Sequence, residues 1–465
     1  MRSKVFTGLL LLASSLPLGA AQSSYVRRGT PQREGRFWSE LDACFVPVRP
    51  GGRLTVRADL GTVTVVPGGG DDRLQCEVKL LAFTPSDAEA ARVFLSRATL
   101  VARRAGPDGA YIELRLPTQD RPARRLGAFF SIQVPRRFNL DVQTGDGTIQ
   151  VAGMDGDLRA ATAAGDIRSG NLTGSVHAQT GGGTISLGNL GQSVDARSPA
   201  GGSIRVGDVK GDAYFETYGG DIVAGMIGGS AHAQTGAGDI VLRGVSGAVT
   251  ARTAGGQIQL GQCGSTVSAE SAAGSIHLDG ARGRVEAQTA GGSIDLLQVM
   301  SAVRAETSAG DILAQIDGGR DTFGASSLRS TVGDVHVLLP PDLPLTVNAL
   351  IETGVGHVIA SDFPLTVHHP GPGPMELGSV QGIGALDGGG PQLTLRTSLG
   401  SIEIRKQDAQ TLARVKACQL LFWRSWQEQA KEQEQSLERL RQVMQEQQER
   451  LDQLQKTLLE SSGQQ

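Results

Sequence analysis

The chain has 465 residues, 64 of them glycine, while aromatic residues make up only 4%. This is too long for one ordinary domain, and the composition argues against a thick mixed core and for many short strands joined by tight turns. A formal net charge of −3 offers no basic surface to nucleic acid or to an anionic membrane.

Residues 1–21 read as a secretory signal. Arg2 and Lys4 give a positive start, Val5 to Ala20 is apolar, and Gly19-Ala20-Ala21 supplies small residues before a cleavage point at Gln22. Pro17 and Gly19 break the apolar run short of the ~20 residues that a membrane helix needs. The expected product is exported and keeps no transmembrane segment. Residues 22–35 are a linker.

Residues 36–140 form an N-terminal β-rich cap. Strands are expected at Leu54–Ala58, Val63–Val66, Tyr111–Leu116 and Phe130–Val134, with a short helix opened by the capping box Ser86-Asp87-Ala88-Glu89 and running to Leu95. Cys44 and Cys76 lie in this region and can pair. Cys263 falls in a repeat turn and Cys418 in a helix, and the four fit no zinc spacing. Free thiols, a single bridge and an intermolecular bridge at Cys418 all remain open.

From residue 141 to 316 the chain repeats. Isoleucine recurs at 149, 167, 185, 204, 222, 240, 258, 276, 294 and 312, always 18 residues apart except for one step of 19 at Ser198–Gly202. Looser copies follow at Val335, Val358 and Ile402. Two residues before each isoleucine stands a glycine: Gly147, Gly165, Gly183, Gly202, Gly220, Gly238, Gly256, Gly274, Gly292 and Gly310, then Gly333, Gly356 and Gly400. Such a position needs a positive φ or has no room for a Cβ. A Ser or Thr five residues before the apolar position (six at Ser198) can bond to the turn backbone or to its equivalent in the next copy.

Apolar residues alternate on both sides of this turn, as in Val249, Ala251, Thr253, turn, Ile258, Leu260. Period-two alternation marks strands with one buried face. The unit is therefore strand, glycine turn, strand, glycine turn, and stacked units form a parallel β-solenoid. Two apolar runs per unit favour a narrow two-sided coil. Residues 317–405 carry degenerate repeats with proline loops at Leu339-Pro340-Pro341 and His369-Pro370-Gly371-Pro372.

Residues 406–465 change character. Glycine is absent until Gly463, and Trp423, Trp426, Ala430, Gln433, Leu437, Leu440, Met444, Gln447, Leu451, Leu454 and Leu458 follow a 3-4 spacing. That is a heptad seam on a helix, expected to join copies as a coiled coil; the alternative is a single amphipathic helix packed on the solenoid or against a partner helix.

The sequence offers no catalytic, cofactor or metal site. No Gly-Lys-Ser/Thr loop is present. The Gly-Asp-Ile triplets suggest calcium, but the acid stands in only five copies, at Asp166, Asp221, Asp239, Asp311 and Asp334, and a local turn hydrogen bond accounts for it better. His177, His232 and His277 point outward by parity, with no carboxylate partner evident. Glu216, Glu270 and Glu306 lie in different coils, which gives no acid pair for a polysaccharide-cutting enzyme. Tyr214, Glu216 and Tyr218 form the best candidate contact patch.

The repeat text resembles the bacterial putative-adhesin family of β-strand repeat proteins, a domain of unknown function with Thr-x-x-Gly-Asp-Ile repeats. The matching text includes Val46–Gly52, Leu54–Val56, Ile132–Pro135, Leu140–Thr144 and Gly389–Leu393, and spans about residues 41–405. The resemblance implies a non-enzymatic envelope protein, adhesive or structural, whose surface ligand the sequence does not name. An envelope scaffold or sensor that binds through its tail is the alternative. The frequent replacement of the repeat Asp and the helical tail depart from the family pattern.

Overall fold

The computed structural model describes residues 24–408, apart from 35–36, 69, 71, 84–90, 92–94, 96, 117–125, 355 and 370–377. The signal segment, Cys418 and the heptad seam lie outside the described residues. So does the helix expected up to Leu95, except that Ala91 and Leu95 themselves are helical and buried.

The described chain is a parallel β-solenoid. Each rung gives one strand to sheet A, containing the repeat isoleucines, and one to sheet B. Equivalent residues stack in register: Val249 lies between Ala231 and Val267, and Ile258 between Ile240 and Ile276. Eleven rungs run in chain order from Asn139–Val151 to Ser326–Leu339, and two more stand at each end, fifteen in all. At ~4.8 Å per rung the stack is about 70 Å long. The inward residues are almost wholly buried, as at Val249, Ala251, Ile258 and Leu260, each worth roughly 1–3 kcal/mol of apolar burial.

The hydroxyl and the glycine of the repeat act together. Thr253 donates its hydroxyl to the carbonyl of Gly238, one rung back, at 2.9 Å, and accepts the N–H of Gly256 in its own rung at 3.1 Å. Twelve rungs repeat the donation, from Thr144 to Gly61 through to Thr397 to Gly333. The hydroxyls thus bond across rungs to glycine carbonyls and not to each other. The glycine row requires space, since a Cβ on Gly274 would fall on the backbone of Gly256, well inside 3.0 Å, and Gly147, Gly165, Gly310 and Gly333 hold a positive φ as well.

The coil has a third side that two apolar runs do not announce. Met154, Leu172, Leu190, Val209 and Ile227 bridge in parallel, and the row continues through Val245, Cys263, Ala281 and Val299. Cys263 is therefore a buried core residue, not a turn residue. One apolar residue per unit, flanked by Gly, Asn or Asp, looks like a turn in the sequence.

Both ends of the stack depart from chain order. The outermost N-terminal rung is Gly109–Arg115 with Leu126–Val134, and residues 53–67 slot between it and Asn139–Val151. At the other end Gln392–Lys406 slots between Ser326–Leu339 and the outermost rung, Leu345–Ile351 with Ile359–Ser361. In that rung Ile359, not Val358, pairs with Ile402, and Val358 is 57% exposed. Gly356 accordingly has open space around it and stands outside the glycine row. Antiparallel strands close both sheets at the N-terminal end, Arg73–Ala82 with Phe37–Pro47 and Thr99–Ala105, and close sheet B at the other, Val380–Leu386 with Thr366–His368; there the sheet A strand Ile359–Ser361 pairs, among the described residues, with Ile402–Lys406 alone. Such strands cover ladder edges that would otherwise pair with other chains.

Candidate functional site

The outer side of sheet B presents two straight columns of side chains, because each strand shows its second and fourth residues to solvent. Around the middle of the stack one column reads Arg159, His177, Asp195, Tyr214, His232, and the other Gln179, Arg197, Glu216, Gln234. Tyr214 donates to Glu216 Oε2 at 2.9 Å. Burial first, and then this bond, raises the phenol above its ordinary pKa. Arg197 lies over one face of the Tyr214 ring at 4.7 Å, and His232 is stacked near it at 4.9 Å. With its faces so engaged, Tyr214 offers no open platform to a sugar ring. Tyr218, expected on the same face, stands in the glycine turn and is 75% exposed.

Three histidines do have carboxylate partners, contrary to the sequence reading. His177 Nδ1 lies 3.1 Å from Asp195, which Arg197 also holds at 2.8 Å. His336 lies 3.6 Å from Glu403. On the outer side of sheet A, His277 Nε2 is 3.1 Å from Asp279 and Nδ1 is 3.8 Å from Asp295. Asp195 and Asp295 each follow their histidine by 18 residues. The repeat period was thus itself the signal, since it sets residues side by side on adjacent rungs. Burial of the His277 ring opposes its charge, but Asp279 and Asp295 outweigh it and raise the pKa from 6.5 to about 9. An imidazolium held between two carboxylates is a structural cation and a poor general base.

Protonated His277 therefore stabilises the fold. The contribution is complete below about pH 6.5 and is lost as pH rises through about 9. Thermal melts of the wild type should show a loss on the order of 3 kcal/mol across that window, and His277→Gln should remove the slope. An unchanged slope in the variant would assign the effect elsewhere.

The repeat acids bind backbone. Asp239 Oδ1 accepts the N–H of Gln257 at 2.7 Å, and Asp334 Oδ1 that of Ser401 at 2.7 Å. Ser275 does the same with its hydroxyl toward Ser293. Two further corners carry similar ladders, through Asn171, Asn189 and Asp208 and through Asp157 and Asp212. These bonds explain why Asp, Asn and Ser interchange there. Among the described residues no group of three His, Cys, Asp or Glu side chains is placed to hold a metal. Burial, aided by the Asp279 carboxylate, pushes the Cys263 thiol up to about 12, which leaves it unreactive.

No family model matches the chain, and no curated protein matches it. Among solved structures it is similar to a putative cell adhesion protein from Clostridium sporogenes, at 9% identity over 81% of this chain and 100% of that one, with a TM-score of 0.14. A putative adhesin from Bacteroides fragilis matches at 9% identity over 83% and 98%, with a TM-score of 0.15.

At the N-terminal end Cys44 and Cys76 face each other across antiparallel strands and are joined as a disulfide. The bond is buried beside Val46 and Val78.

Proposed function

We propose that this chain is an exported, non-enzymatic envelope protein, adhesin-like in role, that presents the outer side of sheet B as a rigid recognition surface. One observation carries the reading. From His177 to Arg329 every outward side chain of sheet B is at least partly accessible, and the hydroxyl–glycine ladder fixes their spacing. Exposed ion pairs along the stack, Arg252 with Glu270 at 3.3 Å and Arg304 with Glu286 at 3.9 Å, link side chains of adjacent rungs. A surface organised in this way binds with little loss of side-chain freedom. The signal-like start, the disulfide, which persists in oxidising compartments, and the family resemblance of the repeat text support export and an envelope location.

Fractionation of cells making a C-terminally tagged chain tests this reading. The tag is expected in the envelope fraction or the medium, with Cys44 and Cys76 oxidised. A cytoplasmic product with reduced cysteines would overturn it.

A further inference from the structure

The two sheets differ on their outer sides. Outward positions on sheet A fall one and three residues after the rung isoleucine. Over the rungs from Ile222 to Val335 these include Val223, Val241, Leu297, Leu313 and Leu338. The equivalent columns on sheet B are polar. Four of these five apolar residues are also shielded: Val223, Val241, Leu297 and Leu338 keep only 7%, 4%, 2% and 5% of their accessible surface. Asp279 and Gln315 on the same strip are buried as well, whereas no outward residue of sheet B from His177 to Arg329 is. A side chain on the outer face of a sheet has neighbours along the stack but none above it, so burial of this degree calls for a cover.

The course of the chain names that cover. The last strand, Ile402–Lys406, belongs to sheet A and lies beside Val335–Leu339. Gln407 is fastened at the end of the strip: its N–H donates to the Leu339 carbonyl at 3.0 Å, and its Nε2 donates to Ile316 at 2.7 Å and to Leu338 at 3.3 Å. Residues 409–465 therefore start at this strip. Their seam from Trp423 to Leu458 would form a helix ~54 Å long, more than the roughly 29 Å that seven rungs span.

We propose that the segment beyond Asp408 turns back along sheet A of its own rod and lays its apolar seam on the strip from Leu338 to Val223. Tethering favours this over association with a second copy, because a short linker holds the seam at an effective concentration of about millimolar. The tail then closes one side of the rod and leaves sheet B as its open face. This inference stands whether or not the protein is exported.

Sedimentation of the full chain should give a monomer. A dimer or larger mass would overturn the proposal in favour of a coiled coil between copies. In the full chain, Val241→Glu places a charge on the outward strip and leaves the inward row intact. It should speed tryptic cleavage at Arg439 and Arg441 at least tenfold, while Thr250→Glu on sheet B should leave the rate unchanged. Leu440→Glu, a seam position beyond Asp408 that alters no core residue of the rod, should reproduce the acceleration. Equal rates in wild type, Val241→Glu and Leu440→Glu would overturn the proposal.

Discussion

Gly274→Val is expected to lower stability by at least about 3 kcal/mol and to impair folding outright in a fraction of the chains. A Cβ at this position would meet the Gly256 backbone, and backbone held in two ladders cannot yield as a side-chain tip could. The damage spreads to two rungs, because the Gly256 carbonyl accepts the Ser271 hydroxyl and the Gly274 N–H donates to the same hydroxyl. Forcing the rungs apart leaves these buried groups unpaired. Gly238→Val should behave alike. Gly319→Val, where nothing lies within 4 Å of the added atom, should cost far less. Chemical denaturation of the three variants checks the ordering, and equal midpoints for Gly274→Val and wild type would remove the stacking account of the glycine row.

Loss of the Cys44–Cys76 disulfide should cost about 3–4 kcal/mol by the loop-closure estimate, given a sequence separation of 32 residues. The bond ties Phe37–Pro47 to Arg73–Ala82, the two strands that continue sheet A beyond its outermost rung. Cys76→Ser should therefore loosen the N-terminal end first. Hydrogen exchange should rise at 37–47 and 73–82 before it rises in the middle of the stack. Uniform exchange along the rod would contradict that order.

The regular stretch was legible because its signal is repetition. A single alternating run is ambiguous, whereas isoleucine returning every 18 residues with glycine two places before it leaves few geometries open. Where the repetition lapses, so does legibility. Residues 53–67 and 109–134 are full rungs, but an insertion separates them and their stacking order is reversed, so no fixed period joins them. Gly61 belongs to the glycine row, since its carbonyl accepts the Thr144 hydroxyl, yet only the structure shows it. Val358 looked like a core residue because Gly356 precedes it at the usual distance, and a one-residue slip put Ile359 there instead. The contact patch was half legible. Parity placed Tyr214 and Glu216 together, but the stacking of Arg197 and His232 near the Tyr214 ring depends on which residues neighbour it across rungs.

The interleaving at the two ends restricts how such a rod can change in length. Each end is threaded: a strand from one part of the chain is held between two others, and all must be present for any of them to be fully paired. A unit added beyond the N-terminal end would meet antiparallel strands in both sheets, and at the other end it would meet one in sheet B. Whole units are gained or lost with least disturbance in the interior, where every rung meets the same neighbours above and below. The copies between residues 139 and 316, which share one core pattern, lie in that interior, so duplication there would lengthen the molecule without disturbing either terminus.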